Sequence, residues 1–214
     1  MRVRVKLCGL TNSDAIDAAI AAGADAVGLV LSESPRRVSL SVAEALLARV
    51  PPGILRVAVF ARPSRGELAA ALALPFDALQ AEHDVELPAL PGHVHFLPVL
   101  RDSPELEARE FERAPARGAD DWRGAVVLDG PLGGGRGLPA DVERAARLAR
   151  RARLVLAGGL TPDNVGERIA RVRPFAVDAS SGLERARGRK DPALITAFVR
   201  AVRAAETRCP SPTP

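Results

Sequence analysis

The chain has little of what a disulfide-stabilised, membrane-spanning or base-stacking protein needs. Its 214 residues include two cysteines, one tryptophan and no tyrosine. Cys8 and Cys209 lie far apart in unlike contexts, so we expect no disulfide framework. No apolar run is long enough to span a bilayer, and the opening segment MRVRVKLCG resembles a strand rather than a signal peptide. These absences exclude a membrane partner and predict a cytoplasmic location.

A net charge of +4 and a pI near 10.0 raise the question of nucleic acid binding. The basic residues are scattered, however, and aromatic residues make up 3% of the chain. The densest basic run, residues 144–153, alternates with alanine and leucine on a predicted helix. We therefore expect a solvated arginine-rich helix face and no nucleic acid partner. The surplus of positive charge favours the approach of an anionic small molecule.

Apolar strand-like runs alternate with helical patterns along the whole chain. The predicted strands span residues 3–7, 26–31, 55–60, 77–81, 95–99, 125–128, 154–157 and 175–178. The predicted helices span residues 13–22, 42–49, about 64–74, 85–90, 104–113 and 140–151, a short segment after Gly159, and residues 192–205. Strands that are apolar without alternation are typical of a parallel sheet covered on both faces.

Eight strand–helix units with short connections predict an α/β protein with a (β/α)8 TIM barrel fold in a single domain, residues 1–206. A doubly wound open sheet, which needs fewer units, is the alternative. The tail, residues 207–214, is rich in proline, and we predict that it is disordered.

Two turns near the C-terminus indicate a phosphate site. Gly158 and Gly159 follow the seventh predicted strand, and Ser180, Ser181 and Gly182 follow the eighth. The glycines have no Cβ to keep an anion away, and the serines add hydroxyl donors. In (β/α)8 barrels a phosphate cradle often lies after these two strands. We therefore predict a phosphorylated small-molecule ligand, although either turn alone also fits an ordinary tight turn.

Two reactive side chains end other predicted strands. Cys8 ends strand one, beside Gly9 and two residues after Lys6. A partly exposed thiol near positive charge can ionise, although a lone strand cysteine is more often a small buried apolar residue. Asp129 follows three apolar residues, so its carboxylate must face the barrel mouth, be paired, or end a turn. We predict that Cys8 and Asp129 face each other across the mouth as base and acid.

Three further patterns carry weaker signals. Arg36 lies on a proline-stiffened loop, residues 34–38, where a guanidinium can bind a carboxylate bidentately or remain solvated. The glycine-rich segment 133–137 lacks the endings of a nucleotide-binding loop and fits a flap or a plain turn equally. His93 and His95 alternate on predicted strand five, but without a third ligand nearby they predict no metal site.

Ordered motifs together resemble the phosphoribosylanthranilate isomerase family, from about residue 3 to residue 205. They are VKLCGLTN at 5–12, SPRRV at 34–38, VAVF at 57–60, VVLDG at 126–130, LAGGLTPDNV at 156–165, RPFAVDASSGLE at 173–184 and GRKD at 188–191. The family consists of (β/α)8-barrel enzymes of tryptophan biosynthesis. The resemblance implies the Amadori rearrangement of N-(5-phosphoribosyl)anthranilate to 1-(2-carboxyphenylamino)-1-deoxyribulose 5-phosphate.

The resemblance also implies a role for each motif residue. Asp129 would be the general acid and Cys8 the general base, with Arg36 on the anthranilate carboxylate and Asp178 orienting the substrate. The phosphate would be held by Gly158, Gly159, Ser180, Ser181 and Gly182. No cofactor or metal is implied, because proton transfer alone carries the reaction. Both a monomer and a homodimer remain open.

The chain departs from the family pattern in two loops. Glu82 stands where the family usually has histidine, and Arg136 replaces a small hydroxyl residue in a segment that also lacks the usual aromatic-Asp-Trp sequence. We expect a divergent but active isomerase, with a catalytically silent or respecified phosphosugar-binding barrel as the alternative. A Schiff-base aldolase using Lys6, on the same strand face as Cys8, is a third interpretation.

Overall fold

The computed structural model of the chain describes residues 2–106, 122–132 and 138–208. Its parallel strands form a closed barrel in chain order. They are β1 (Arg4–Cys8), β2 (Ala26–Val30), β3 (Leu55–Val59), β4 (Ala78–Glu82), β5 (His95–Arg101), β6 (Ala125–Asp129), β7 (Arg153–Leu156) and β8 (Ala176–Ala179). The barrel closes between β8 and β1, where Lys6 is in register with Asp178. The predicted (β/α)8 barrel is confirmed, and the open sheet is excluded.

Helices cover the outside of the barrel. They are α1 (Ser13–Ala22), α2 (Leu40–Leu47), α3 (Arg65–Leu72), α4 (Val142–Ala149), α5 (Val165–Val172) and α6 (Pro192–Arg208). Between β8 and α6, a 3-10 turn (Ser181–Leu183) leads into a hairpin of two short strands, β9 (Glu184–Ala186) and β10 (Arg189–Lys190). Helix α3 begins with a capping box, in which Ser64 and Glu67 satisfy each other's backbone amides. Among the described residues, none of the helices combines the length and apolar character that crossing a membrane requires.

The predicted helix over residues 85–90 is wrong, because the chain between β4 and β5 contains no helix. Pro88 and Pro91 lack an amide donor, and each biases the preceding residue toward extended geometry. Most of the predicted helix 104–113 lies outside the described residues, and residues 104–106 form a turn. The predicted tail also lies outside them, except that α6 continues through Thr207 to Arg208.

The barrel has two apolar layers, because successive side chains of each strand point alternately outward and inward. Outward side chains such as Val5, Leu7 and Val177 pack against the helices. Inward side chains such as Val57, Leu97 and Val155 fill the barrel. At the amino end the inner layer is covered by Trp122, which packs edge-on against Phe175 with ring centroids 5.5 Å apart. At the carboxyl end, the inward polar side chains include Gln80, Asp129 and Asp178.

Candidate active site

A cavity of about 240 Å³ opens at the carboxyl ends of the barrel strands. All the predicted site residues line it except Gly182: they are Cys8, Arg36, Asp129, Gly158, Gly159, Asp178, Ser180 and Ser181. Gly182 lies beneath the second turn, where an added Cβ would come within 2.0 Å of the Leu160 carbonyl oxygen. Packing thus requires glycine at residue 182, and its contact with phosphate stays a prediction.

Cys8 lies above a buried ion pair inside the barrel. The ammonium of Lys6 donates to Asp178 Oδ2 at 2.8 Å, and the two side chains are 0% and 7% exposed. Burial lowers the pKa of Lys6, but the interactions of its charged form with Asp178 and with the sulfur of Cys8 outweigh burial, so the pKa is raised. Lys6 therefore stays charged, which argues against the aldolase interpretation, because a Schiff-base lysine must lose its proton. Gly28 makes room beside the pair, since a Cβ there would lie 3.0 Å from Cys8 Sγ.

The environment of Cys8 differs from the one expected. The thiol is buried rather than partly exposed, and this burial raises its pKa. The cationic Lys6, which also hydrogen-bonds the sulfur, and Lys190 lower that pKa, while Asp178 raises it. Because the net shift is upward, the thiolate, once formed, is a stronger base than that of an ordinary cysteine.

Asp129 ends β6 at the other side of the cavity. Burial raises the pKa of its carboxyl, and nearby Asp178 raises it further, whereas Arg101 and the amide of Gly130 lower it. The net shift is upward, as a group that must carry a proton near neutral pH requires. Gly130 donates its amide to Oδ1 at 2.8 Å, so one carboxyl oxygen is held by the backbone.

Arg101, which the sequence reasoning missed, holds the other oxygen of Asp129. Its Nη1 donates to Asp129 Oδ2 at 2.6 Å, and its Nε donates to Glu82 Oε1 at 3.1 Å. A second guanidinium nitrogen, Nη2, also donates to Glu82. Glu82, at the position where the family pattern has histidine, thus has a specific partner in the site.

The turn that follows β7 leaves no space for a side chain at Gly158. Gly158 and Gly159 have φ values of 84° and 62°, a region that favours glycine. A Cβ on Gly158 would lie 2.8 Å from the Gly130 amide nitrogen and 2.9 Å from the Leu138 carbonyl oxygen. The turn therefore presents bare backbone to the cavity directly beside Asp129. The glycine-rich segment 133–137, with Arg136, lies outside the described residues.

Arg36 belongs to a buried charge cluster beside the second turn. Its Nε and Nη2 donate to the two carboxylate oxygens of Glu184 at 2.6 and 2.9 Å. Lys190 donates to Glu184 at 2.7 Å and to the Ser180 carbonyl oxygen at 3.0 Å. Arg36 is thus fixed in place rather than solvated, and the chain packs tightly around it, since a Cβ on Gly9 would lie 2.6 Å from Arg36 Cδ.

Two buried oxygens in the cavity wall have no hydrogen-bond partner among the described residues: Gln80 Oε1 and Asp178 Oδ1. Both side chains are 7% exposed and line the cavity. A buried polar atom without a partner carries a desolvation cost that a bound ligand can remove. Gln80 was missed in the sequence, although it lies on the inward face of β4.

Within the described parts of the chain, no cluster of three or more His, Cys, Asp and Glu side chains is arranged to hold a metal ion. His95 begins β5, whereas His93 precedes the strand, so the two do not share a strand face. Both line a depression next to Trp122 at the amino end of the barrel, far from Cys8 and Asp129.

Comparison with known proteins places this geometry in context. The family model described as N-(5'phosphoribosyl)anthranilate (PRA) isomerase matches residues 5–201. The N-(5'-phosphoribosyl)anthranilate isomerase of Pseudomonas fluorescens is 41% identical over 208 residues, covering 94% of this chain and 96% of the relative. The crystal structure of the Thermotoga maritima phosphoribosyl anthranilate isomerase has a TM-score of 0.80 and 32% identity, covering 94% of this chain and 99% of that one.

A second solved structure contains a bound ligand. It is a phosphoribosyl anthranilate isomerase in complex with reduced 1-(o-carboxyphenylamino)-1-deoxyribulose 5-phosphate. Its TM-score is 0.78 with 31% identity, and the match covers 94% of this chain and 99% of that chain. These similarities extend over nearly the whole length of each protein.

Proposed function

This chain belongs to the N-(5'-phosphoribosyl)anthranilate isomerase family, and from this premise we propose which of its residues carry out the reaction. The enzyme isomerises N-(5-phosphoribosyl)anthranilate to 1-(2-carboxyphenylamino)-1-deoxyribulose 5-phosphate in tryptophan biosynthesis. One observation carries the assignment of the roles. Cys8 and Asp129 line the same cavity, together with the glycine turn that follows β7 and the serine turn that follows β8.

Asp129 is the general acid of the first step. Its carboxyl, with a pKa raised by burial, protonates the ring oxygen of the ribose as the C1–O bond breaks. The lone pair of the anthranilate nitrogen forms the C=N bond, giving a ring-opened Schiff base. The Gly130 amide and Arg101, which hold the two carboxylate oxygens, stabilise the anion that remains.

Cys8 is the general base of the second step. As a thiolate it removes the proton from C2 of the sugar, and the electrons of that C–H bond move toward the C=N bond to give an enolamine. Protonation at C1, with loss of the proton from the C2 hydroxyl, then yields the ketone. The positive charge of Lys6 offsets part of the cost of ionising the buried thiol. Asp178, which keeps Lys6 charged, has its second oxygen available to orient a substrate hydroxyl.

The substrate carries anions at two ends, and two parts of the cavity suit them. Gly158, Gly159, Ser180 and Ser181 bind the phosphate, with Gly182 contributing through the backbone of the turn. Arg36 binds the anthranilate carboxylate with guanidinium N–H groups that Glu184 does not use. Glu184 thus orients Arg36 without preventing it from binding a second carboxylate.

The other expectations from the sequence are part of the same proposal. Proton transfer alone carries the reaction, without a cofactor or a metal. Residues 1–206 act as one domain, the location is cytoplasmic, and the active unit is a monomer or a homodimer.

Replacing Cys8 with serine tests the base. Near neutral pH a serine hydroxyl ionises far less readily than a cysteine thiol. Cys8→Ser is therefore expected to lower kcat by roughly a hundredfold or more. Cys209→Ser is the matched control and is expected to retain the wild-type rate. If Cys8→Ser keeps full activity, Cys8 is not the base, and Asp178 becomes the next candidate.

A further inference from the structure

Three neighbouring strands each end in a charged residue, and the three side chains form one chain of contacts. Glu82 is the last residue of β4, Arg101 of β5 and Asp129 of β6. Arg101 and Asp129 are direct partners in the β5–β6 register. Their side chains are 13%, 32% and 16% exposed, in the same order. The contacts thus lie at the rim of the cavity, partly shielded from water.

The guanidinium of Arg101 joins two carboxylates at once. Its Nη1 donates to Asp129 Oδ2 at 2.6 Å, and its Nε and Nη2 donate to Glu82 Oε1. Glu82 thereby holds the guanidinium plane, and the guanidinium holds one oxygen of Asp129. The backbone amide of Gly130 holds the other oxygen at 2.8 Å. The direction of the Asp129 carboxyl therefore depends on Arg101, and that of Arg101 depends on Glu82.

We propose that Arg101 is a positioning residue for Asp129. Glu82 orients the Arg101 guanidinium and partly neutralises its positive charge next to Asp129. This inference rests on the proposed role of Asp129 as general acid. Glu82 occupies the position that is histidine in the family pattern, so this chain orients its acid through a carboxylate and an arginine. A displaced general acid loses much of its effect, because catalysis requires near-attack geometry.

Arg101 and Glu82 change the pKa of Asp129 in opposite directions. The Arg101 cation favours the carboxylate form of Asp129, whereas Glu82 neutralises part of that cation. Among the described residues, the carboxyl of Asp129 is also influenced by the carboxylate of Asp178 on β8 and by the uncharged amide of Gly130. Removing Arg101 is therefore expected to raise the pKa of Asp129 further, and removing the charge of Glu82 is expected to lower it.

The test compares Arg101→Met, Glu82→Gln and a matched control, Arg56→Met. Arg56 is a similarly exposed arginine at the start of β3, bound to Asp77 at 2.7 Å near the amino end of the barrel. The pKa of Asp129 is read from the pH dependence of its carboxyl ¹³C resonance, assigned by its loss in Asp129→Asn. Values of kcat and KM are measured on the same proteins.

We expect Arg101→Met to raise the pKa of Asp129 and to lower kcat by roughly ten- to a hundredfold with little change in KM. Glu82→Gln is expected to lower that pKa, and Arg56→Met to change neither quantity. Arg101→Lys keeps the charge without the planar fork, so it is expected to leave the pKa near wild type and restore part of kcat.

Shifts of the same sign in Arg101→Met and Glu82→Gln, or no shift in either, overturn the proposal. So does a rise in KM with unchanged kcat in Arg101→Met, which would make Arg101 a substrate contact. The resonance is followed without substrate, so the coupling is tested separately from the role of Asp129. Full turnover in Asp129→Asn would refute that role.

Discussion

The buried ion pair between Lys6 and Asp178 offers a quantitative test of the account. Lys6→Met replaces the ammonium with an apolar group of similar length, leaving Asp178 without its cation. The side chains are 0% and 7% exposed and 2.8 Å apart, so little solvent screens the remaining charge. Breaking such a pair by removing one partner typically costs about 3–5 kcal/mol of folding free energy.

This cost is large enough to measure by urea unfolding. With a denaturant slope of roughly 2–3 kcal/mol per molar urea, the midpoint is expected to fall by roughly 1–2.5 M. The double variant Lys6→Met/Asp178→Leu removes both charges and is expected to recover most of the loss, since apolar replacement of a buried pair is often neutral. The exposed pair Arg49 and Asp17 supplies the control, and Arg49→Met is expected to leave the midpoint nearly unchanged.

Two outcomes would refute the reasoning. A midpoint within error of wild type for Lys6→Met would mean that the pair is not buried as described. A double variant as unstable as the sum of the two single variants would mean that the charges do not compensate each other. In either case Lys6 would not be the cation that offsets the cost of ionising the Cys8 thiol.

The remaining predictions concern the ligand and the thiol. Arg36→Ala is expected to raise KM far more than it lowers kcat in steady-state assays, and an unchanged KM would remove Arg36 from the carboxylate site. Gly158→Ala places a Cβ 2.8 Å from the Gly130 amide nitrogen at a φ of 84°. KM is therefore expected to rise roughly tenfold or more, and inorganic phosphate is expected to inhibit the variant more weakly than the wild type. Equal inhibition of both proteins by phosphate would argue against this turn as the phosphate site. Burial raises the pKa of Cys8. In a Cys209→Ser variant, which leaves Cys8 as the one thiol, the rate of alkylation by iodoacetamide is therefore expected to keep increasing with pH beyond the range in which an ordinary cysteine reaches its plateau. An early plateau would indicate a lowered pKa.

The barrel was predictable because most of its strands are short, mainly apolar runs. The strand ends were harder to predict, because a charged residue interrupts the apolar pattern without ending the strand. Strand β5 was predicted to end at Val99, yet it continues to Arg101. The false helix over residues 85–90 has a related cause. Val85, Leu87 and Leu90 pack against the core from an irregular segment, so their apolar spacing imitates a helix.

Cys8 and Asp129 were predictable because a reactive residue at the end of a barrel strand faces the mouth. The same strand period also marks Arg101, two residues beyond the inward-facing Val99, once the true end of β5 is known. Glu184 was not predictable in this way. It contacts Arg36, 148 residues earlier in the chain, and local sequence patterns do not report contacts between such distant segments.

A direct turnover assay on the purified enzyme tests the central claim most directly. N-(5-phosphoribosyl)anthranilate is generated in situ from anthranilate and phosphoribosyl pyrophosphate, and the loss of its fluorescence is followed with wild type and Asp129→Asn side by side. Binding of a reduced product analogue to both proteins shows that each has an intact cavity. The account predicts rapid loss with wild type and loss slowed by roughly a hundredfold or more with Asp129→Asn. Equal rates for the two proteins, or no turnover by wild type that still binds the analogue, would contradict it.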